Sequence, residues 1–131
     1  DLQADEVLLC VKPLYGMKQA GARFATKRDT TMTGPGLEFS SARAEPSLFI
    51  HKSASGEIDA ISAPHVDDIP MAGEAKVVDA LMAKLKEALP MTGGDEVTFH
   101  LKVDISRSKD GRRLEYSQTR YAMDIIKEAG M

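Results

Sequence analysis

The chain has 131 residues, with 17 Lys and Arg against 20 Asp and Glu, a formal charge of −3 and 43% apolar residues. That composition fits one domain at most and excludes two full domains. Cys10 is the one cysteine, which excludes an internal disulfide framework and reads as a packed thiol. No apolar run approaches the roughly 18 to 20 residues that span a bilayer, and Asp1-Leu2-Gln3-Ala4-Asp5-Glu6 is unlike a secretory signal. A soluble, intracellular chain with no membrane partner is the expectation.

In chain order, Met17 to about Thr33 is rich in Lys, Ala, Arg and Gln and suits a helix, which Gly34-Pro35-Gly36 ends. Leu48, Phe49 and Ile50 lie in a strand from Ser47 to Lys52; Ser53 to Gly56 supplies turn residues, and a second strand runs from Glu57 to about Val66. Pro64 and Pro70 each remove a backbone donor close to Asp67 and Asp68, so any ladder there must be short or lie at an edge. From Glu74 to Leu89 the residues Val77, Val78, Leu81, Met82, Leu85 and Leu89 recur at helical spacing until Pro90 stops the helix. Val97, Phe99, Leu101, Val103 and Ile105 then alternate with polar residues, predicting one strand that buries a single face. Asp110-Gly111 suits a tight turn into a return strand with Leu114 and Tyr116. Ser117 can cap a last helix that carries Tyr121, Ile125 and Ile126 and ends near Gly130. The fold class expected is α+β, a continuous unit of antiparallel hairpins packed on two or three helices.

Asp67 and Asp68, adjacent on a turn between Val66 and Ile69, are the residue type that holds hard divalent cations; a solvated turn uses the same pair. His65 beside them could ligate zinc or iron, or simply end a strand, and no H-x-H or H-x-x-x-H spacing supports the metal. His51 and His100 have no matching partners and receive no role. Lys12, Lys18, Arg23, Lys27 and Arg28 form one basic group and Arg107, Lys109, Arg112, Arg113 and Arg120 another, either phosphate contacts or solvated faces. The G-x-x-x-x-G-K and G-x-S-x-G patterns are absent, which removes P-loop and serine-hydrolase readings.

The order of short motifs says more than any one of them. Leu14-Tyr15-Gly16-Met17-Lys18-Gln19-Ala20 is followed by Glu45-Pro46-Ser47-Leu48-Phe49-Ile50, then Val66-Asp67-Asp68-Ile69, then Leu101-Lys102-Val103-Asp104-Ile105. The series resembles the reverse transcriptase of copia-type retrotransposons, with its L-Y-G-L-K-Q-A, D-P-S-L-F, Y-V-D-D-I and F-L-G-I-E-I. Ser117-Gln118 and Tyr121 extend the likeness towards the end of the chain.

That resemblance implies a partial polymerase palm in a single domain over residues 1–131. Asp67 and Asp68 would be the catalytic, metal-binding pair at a hairpin tip, and Gln19 a nucleotide contact. The implied cofactor is Mg2+ or Mn2+, and the implied partners are an RNA or DNA template-primer and deoxynucleoside triphosphates. In the family a third metal-binding aspartate lies in D-V-x-x-A-F-L-x-G upstream of L-Y-G, a motif that these residues do not contain. A ribonuclease H region is likewise expected to be missing, so the chain is expected to be a fragment inactive by itself, or else a silent remnant that binds nucleic acid or protein. His65 stands at the tyrosine of the pattern and Lys102 at the glycine of F-L-G. P-R-A-W becomes Gly21-Ala22-Arg23-Phe24, which moves the basic residue by about 100° around a helix.

Overall fold

The computed structural model describes residue 9 and residues 11–130. The Cys10 thiol and the acidic start, residues 1–6, lie outside the described residues. The chain divides into two compact units, Asp1–Thr92 and Gly93–Met131.

In the first unit α1 (Ala20–Thr33) leads into a four-stranded antiparallel meander, β1 (Ser40–Ser41), β2 (Phe49–Lys52), β3 (Ile58–Ser62) and β4 (Met71–Gly73), followed by α2 (Ala75–Ala88). The helix predicted from Met17 begins three residues later. Gly16 takes φ +90°, and Leu14 and Met17 accept the amides of Met17 and Ala20, so two successive turns replace the first helical turn. The predicted strand from Glu57 stops at Ser62, before Pro64, whose ring nitrogen has no proton to give the ladder. β4 is short and lies at the sheet edge, the place that the prolines around the acidic pair require.

Burial follows the helical period of α2: Leu81 and Leu85 are buried, with Leu89 just beyond the helix, and Val77, Val78 and Met82 pack beside them. They meet Met32 of α1, Leu37, Phe39, Phe49 of β2, Ala60 of β3 and Ile69. Each fully buried Leu contributes roughly 1.5–3 kcal/mol relative to exposure, so this cluster is the main source of cohesion. Glu45 closes the turn that delivers Phe49 to it. Its carbonyl accepts the Leu48 amide at 2.9 Å and its carboxylate the Ser47 amide at 3.0 Å; hydrogen bonds from Ser47, the backbone amide first, hold the carboxyl pKa below its ordinary value.

The second unit is a three-stranded antiparallel sheet, β5 (Phe99–His100), β6 (Val103–Arg107) and β7 (Leu114–Ser117), followed by α3 (Thr119–Glu128). The single strand expected over Val97 to Ile105 is a hairpin: Leu101 and Lys102 take φ +49° and +67°, and the chain reverses there. Period-two alternation does not register such a reversal, because a two-residue loop keeps hydrophobic and polar positions in step on both arms. The expected buried face is absent as well. Val97, Phe99 and Leu101 are exposed, and among the described residues of this unit no side chain is fully covered. A unit of roughly 40 residues is too small to enclose a core. Ser117 does receive the Thr119 amide, at 3.2 Å, although Gln118 occupies the N-cap position.

The three helices and two antiparallel sheets make the fold α+β.

Candidate functional site

Asp67 and Asp68 stand at the tip of the β3–β4 hairpin. Beyond the last ladder pair, Ser62 with Met71, the strands separate around Pro64 and Pro70 and meet again where His65 and Asp68 exchange amide–carbonyl bonds of 2.8 and 3.0 Å. Val66 and Asp67 form the two-residue loop between them. Val66 takes φ +54°, left-handed backbone that a β-branched side chain strongly disfavours, at a cost on the order of 1–3 kcal/mol. Such strain persists only where surrounding contacts hold it.

Those contacts are visible. Arg28 of α1 is buried, and its Nη1 donates to the Val66 carbonyl at 3.0 Å while Nε and Nη2 each reach Asp29 Oδ1 at 2.8 Å. Below the tip, the buried Ser62 hydroxyl donates to the Pro70 carbonyl at 2.7 Å, which ties the two arms together beyond the end of the ladder. Gly73 lies so close to β3 that a Cβ there would stand 2.2 Å from the Asp59 carbonyl oxygen. Asp59 in turn accepts the Glu74 amide at 3.0 Å, and its carboxylate meets His51 Nδ1 at 2.5 Å at the point where the β2–β3 register shifts. His51, to which the sequence assigned no role, is thus a packing residue, with its ring edge-on to Phe39.

A cleft of about 680 Å3 opens beside the tip. Its walls are the segment before α1 (Lys12, Pro13, Tyr15, Gly16, Met17), the first turns of α1 (Ala20, Gly21, Arg23, Phe24, Lys27), and Val66 and Asp67. The structure therefore brings Asp67 together with the Tyr15-Gly16 pair that sequence order had only placed in series. Asp67 is the one carboxylate in the lining, and its side chain makes no hydrogen bond or ion pair among the described residues. Lys12, Arg23 and Lys27 share the cleft without an ionic partner among the described residues. Gln19 and Asp68 are not part of the lining: Gln19 is the exposed N-cap of α1, its carbonyl accepting the Arg23 amide at 3.0 Å. Arg23 does face the cleft.

Of the first basic group Arg28 behaves differently from the others, as a buried clamp rather than a free cation. One local signal for this exists: Arg28 precedes Met32 by four residues, so both lie on the face of α1 that turns inward. Nothing in the local sequence announces its partner.

Adjacent carboxylates on an exposed turn offer hard oxygen donors. Among the described residues, however, no group of three or more His, Cys, Asp or Glu gathers as a metal-holding cluster. The pair does not by itself fit a complete divalent-metal centre, which takes more ligands than two side chains supply. No helix among the described residues is long and apolar enough to cross a membrane.

Comparison with curated proteins and with solved structures gives no match. A family model described as reverse transcriptase (RNA-dependent DNA polymerase) matches residues 1–131, and the chain belongs to that family.

Proposed function

We propose that the chain is a palm-region segment of a copia-type reverse transcriptase, with Asp67 and Asp68 as its contribution to the catalytic carboxylates, and that it does not polymerise on its own. The observation that carries this reading is the juxtaposition of Asp67 with Tyr15, Gly16, Arg23 and Lys27 around one cleft. A deoxynucleoside triphosphate placed there would have its phosphates near Lys27 and Arg23 and its ring near Tyr15, with the strained turn holding Asp67 in fixed position. Gln19, at the mouth of α1, is the proposed amide contact to the nucleotide, made from outside the cleft lining. Mg2+ or Mn2+ is the proposed cofactor of the assembled enzyme, in which Asp67 and Asp68 would supply two of its oxygen ligands. The template-primer is the proposed partner.

Primer extension on an RNA template, in Mg2+ or Mn2+, tests the reading. The isolated chain is expected to give no product. Adding a polypeptide that carries D-V-x-x-A-F-L-x-G is expected to restore extension, and Asp67→Asn to abolish it. Extension by the isolated chain would refute the inactivity, and restored extension that ignores Asp67→Asn would refute the site.

A second reading, a catalytically silent nucleic-acid-binding remnant, is favoured by one feature: three cations without ionic partners line the cleft against a single carboxylate. Its mark is duplex affinity that falls steeply with salt and is indifferent to Asp67→Asn.

A further inference from the structure

Arg107, Lys109, Arg112, Arg113 and Arg120 of the second unit divide into two kinds. Arg107 and Arg120 are engaged internally. Arg107 Nε lies 2.9 Å from Glu96 Oε1, and Arg120 pairs with Asp104 at 2.7 Å while its guanidinium stands 5.3 Å from the centroid of the Phe99 ring. Lys109, Arg112 and Arg113 are exposed on the connection between β6 and β7, and their side chains make no hydrogen bond or ion pair among the described residues.

The connection that carries them is well braced. Ser108 and Arg113 are joined by an amide–carbonyl bond of 3.0 Å, Gly111 donates to the Ser108 carbonyl at 2.8 Å, and the Arg113 amide donates to the Ser108 hydroxyl at 2.9 Å. Asp110 is the one acid in this turn. Its carboxylate accepts the Ser108 hydroxyl at 2.6 Å and the Arg112 amide at 3.2 Å, so it is occupied by the turn's own donors and is not paired with the neighbouring cations. The result is a braced tip on which three positive side chains project without a counterion among the described residues.

We propose that Lys109, Arg112 and Arg113 form a phosphate-gripping tip for the backbone of a nucleic-acid duplex, a contact surface made of residues other than those of the cleft. The inference rests on the nucleic-acid part of the reading above. Guanidinium forks match the paired oxygens of a phosphate, and cations with no internal partner give up no existing ion pair on binding. The chain as a whole carries −3, so attraction of a polyanion has to come from a local concentration of positive charge within about 8–10 Å, the screening distance at physiological salt. Contacts of this kind position a duplex without reading its sequence.

Fluorescence anisotropy of a labelled RNA–DNA duplex, titrated with the full chain between about 50 and 200 mM salt, measures the contact. The variant combining Lys109→Gln, Arg112→Gln and Arg113→Gln is expected to lower the slope of log affinity against log salt by about 2 to 3, at roughly 0.9 per phosphate contact. Arg112→Lys with Arg113→Lys is expected to keep it. These side chains brace nothing, so an unchanged circular-dichroism spectrum should accompany the loss. An unaltered slope in the triple variant, or no salt-dependent duplex binding by the native chain, overturns the proposal. So does a triple variant that loses adhesion to phosphatidylserine vesicles but keeps its duplex slope. The complemented primer-extension assay with Asp67→Asn reports on the cleft separately. A tip that fails while Asp67 remains essential sinks this inference alone, and the reverse outcome sinks only the catalytic reading.

Discussion

Arg28 and Val66, 38 positions apart, are joined by a 3.0 Å hydrogen bond from the guanidinium Nη1 to the peptide carbonyl. This bond fastens the acidic hairpin tip to α1 at a β-branched residue held in left-handed backbone, and α1 also forms one wall of the cleft. Helix, strained turn and cleft are therefore mechanically one assembly, and the orientation of Asp67 depends on a side chain outside the cleft lining.

Replacing Arg28 tests that dependence. Arg28→Met removes a charge-assisted donor from the Val66 carbonyl and is expected to cost about 1.5–3 kcal/mol, with Arg28→Lys losing less. Urea midpoints at constant slope measure the change; a shift within about 0.5 kcal/mol, the range of an ordinary surface substitution, would show that the bond holds nothing.

Gly73 sets the separation of β3 and β4 beneath the same turn. A Cβ at 2.2 Å from the Asp59 carbonyl and 2.7 Å from Ala60 Cα meets backbone, which cannot swing aside as a side chain would. Gly73→Ala is expected to destabilise by roughly 1–3 kcal/mol, the usual range for overpacking, and to change the amide chemical shifts of Ser62 to Met71. A variant as stable as the parent would contradict the tight approach.

At the β5–β6 reversal the strain can be relieved instead of increased. Leu101 and Lys102 both occupy left-handed backbone that Asn-Gly adopts readily. Leu101→Asn with Lys102→Gly is expected to stabilise the second unit by about 1–2 kcal/mol, since left-handed backbone costs an ordinary residue about that much. Thermal melting followed by hydrogen exchange in β5 and β6 would detect it, and a lowered melting temperature would argue against a two-residue loop at this point.

Asp110 supplies the pH dependence. The Ser108 hydroxyl, and after it the Arg112 amide, hold its carboxyl below the ordinary aspartate range. A group whose acidity is strengthened on folding contributes stability above its unfolded pKa, and that contribution is lost as pH falls through the lower folded value. Ser108→Ala is expected to move the Asp110 titration upward, read by carboxyl NMR, and to weaken the turn at neutral pH more than in acid. A titration that does not move would deny the hydroxyl its role.

The sequence by itself determined the helix of residues 75–88, whose apolar spacing matches its buried stripe, and the turns at Ser53–Gly56 and Asp110–Gly111, where glycine takes φ +86° at Gly56 and +70° at Gly111. It also carried the motif order that leads to the family, because local chemistry is written into adjacent residues. Tertiary structure alone decided that residues 97–106 fold back on themselves, that Arg28 clamps the Val66 carbonyl, and that Asp67 faces the cleft while Gln19 lies outside its lining. The physical reason is common to these cases. Val66, Leu101 and Lys102 adopt backbone that their own preferences oppose, and the clamp on Val66 comes from a helix 38 positions earlier, so propensity points away from the observed conformation and contacts between distant segments prevail over it.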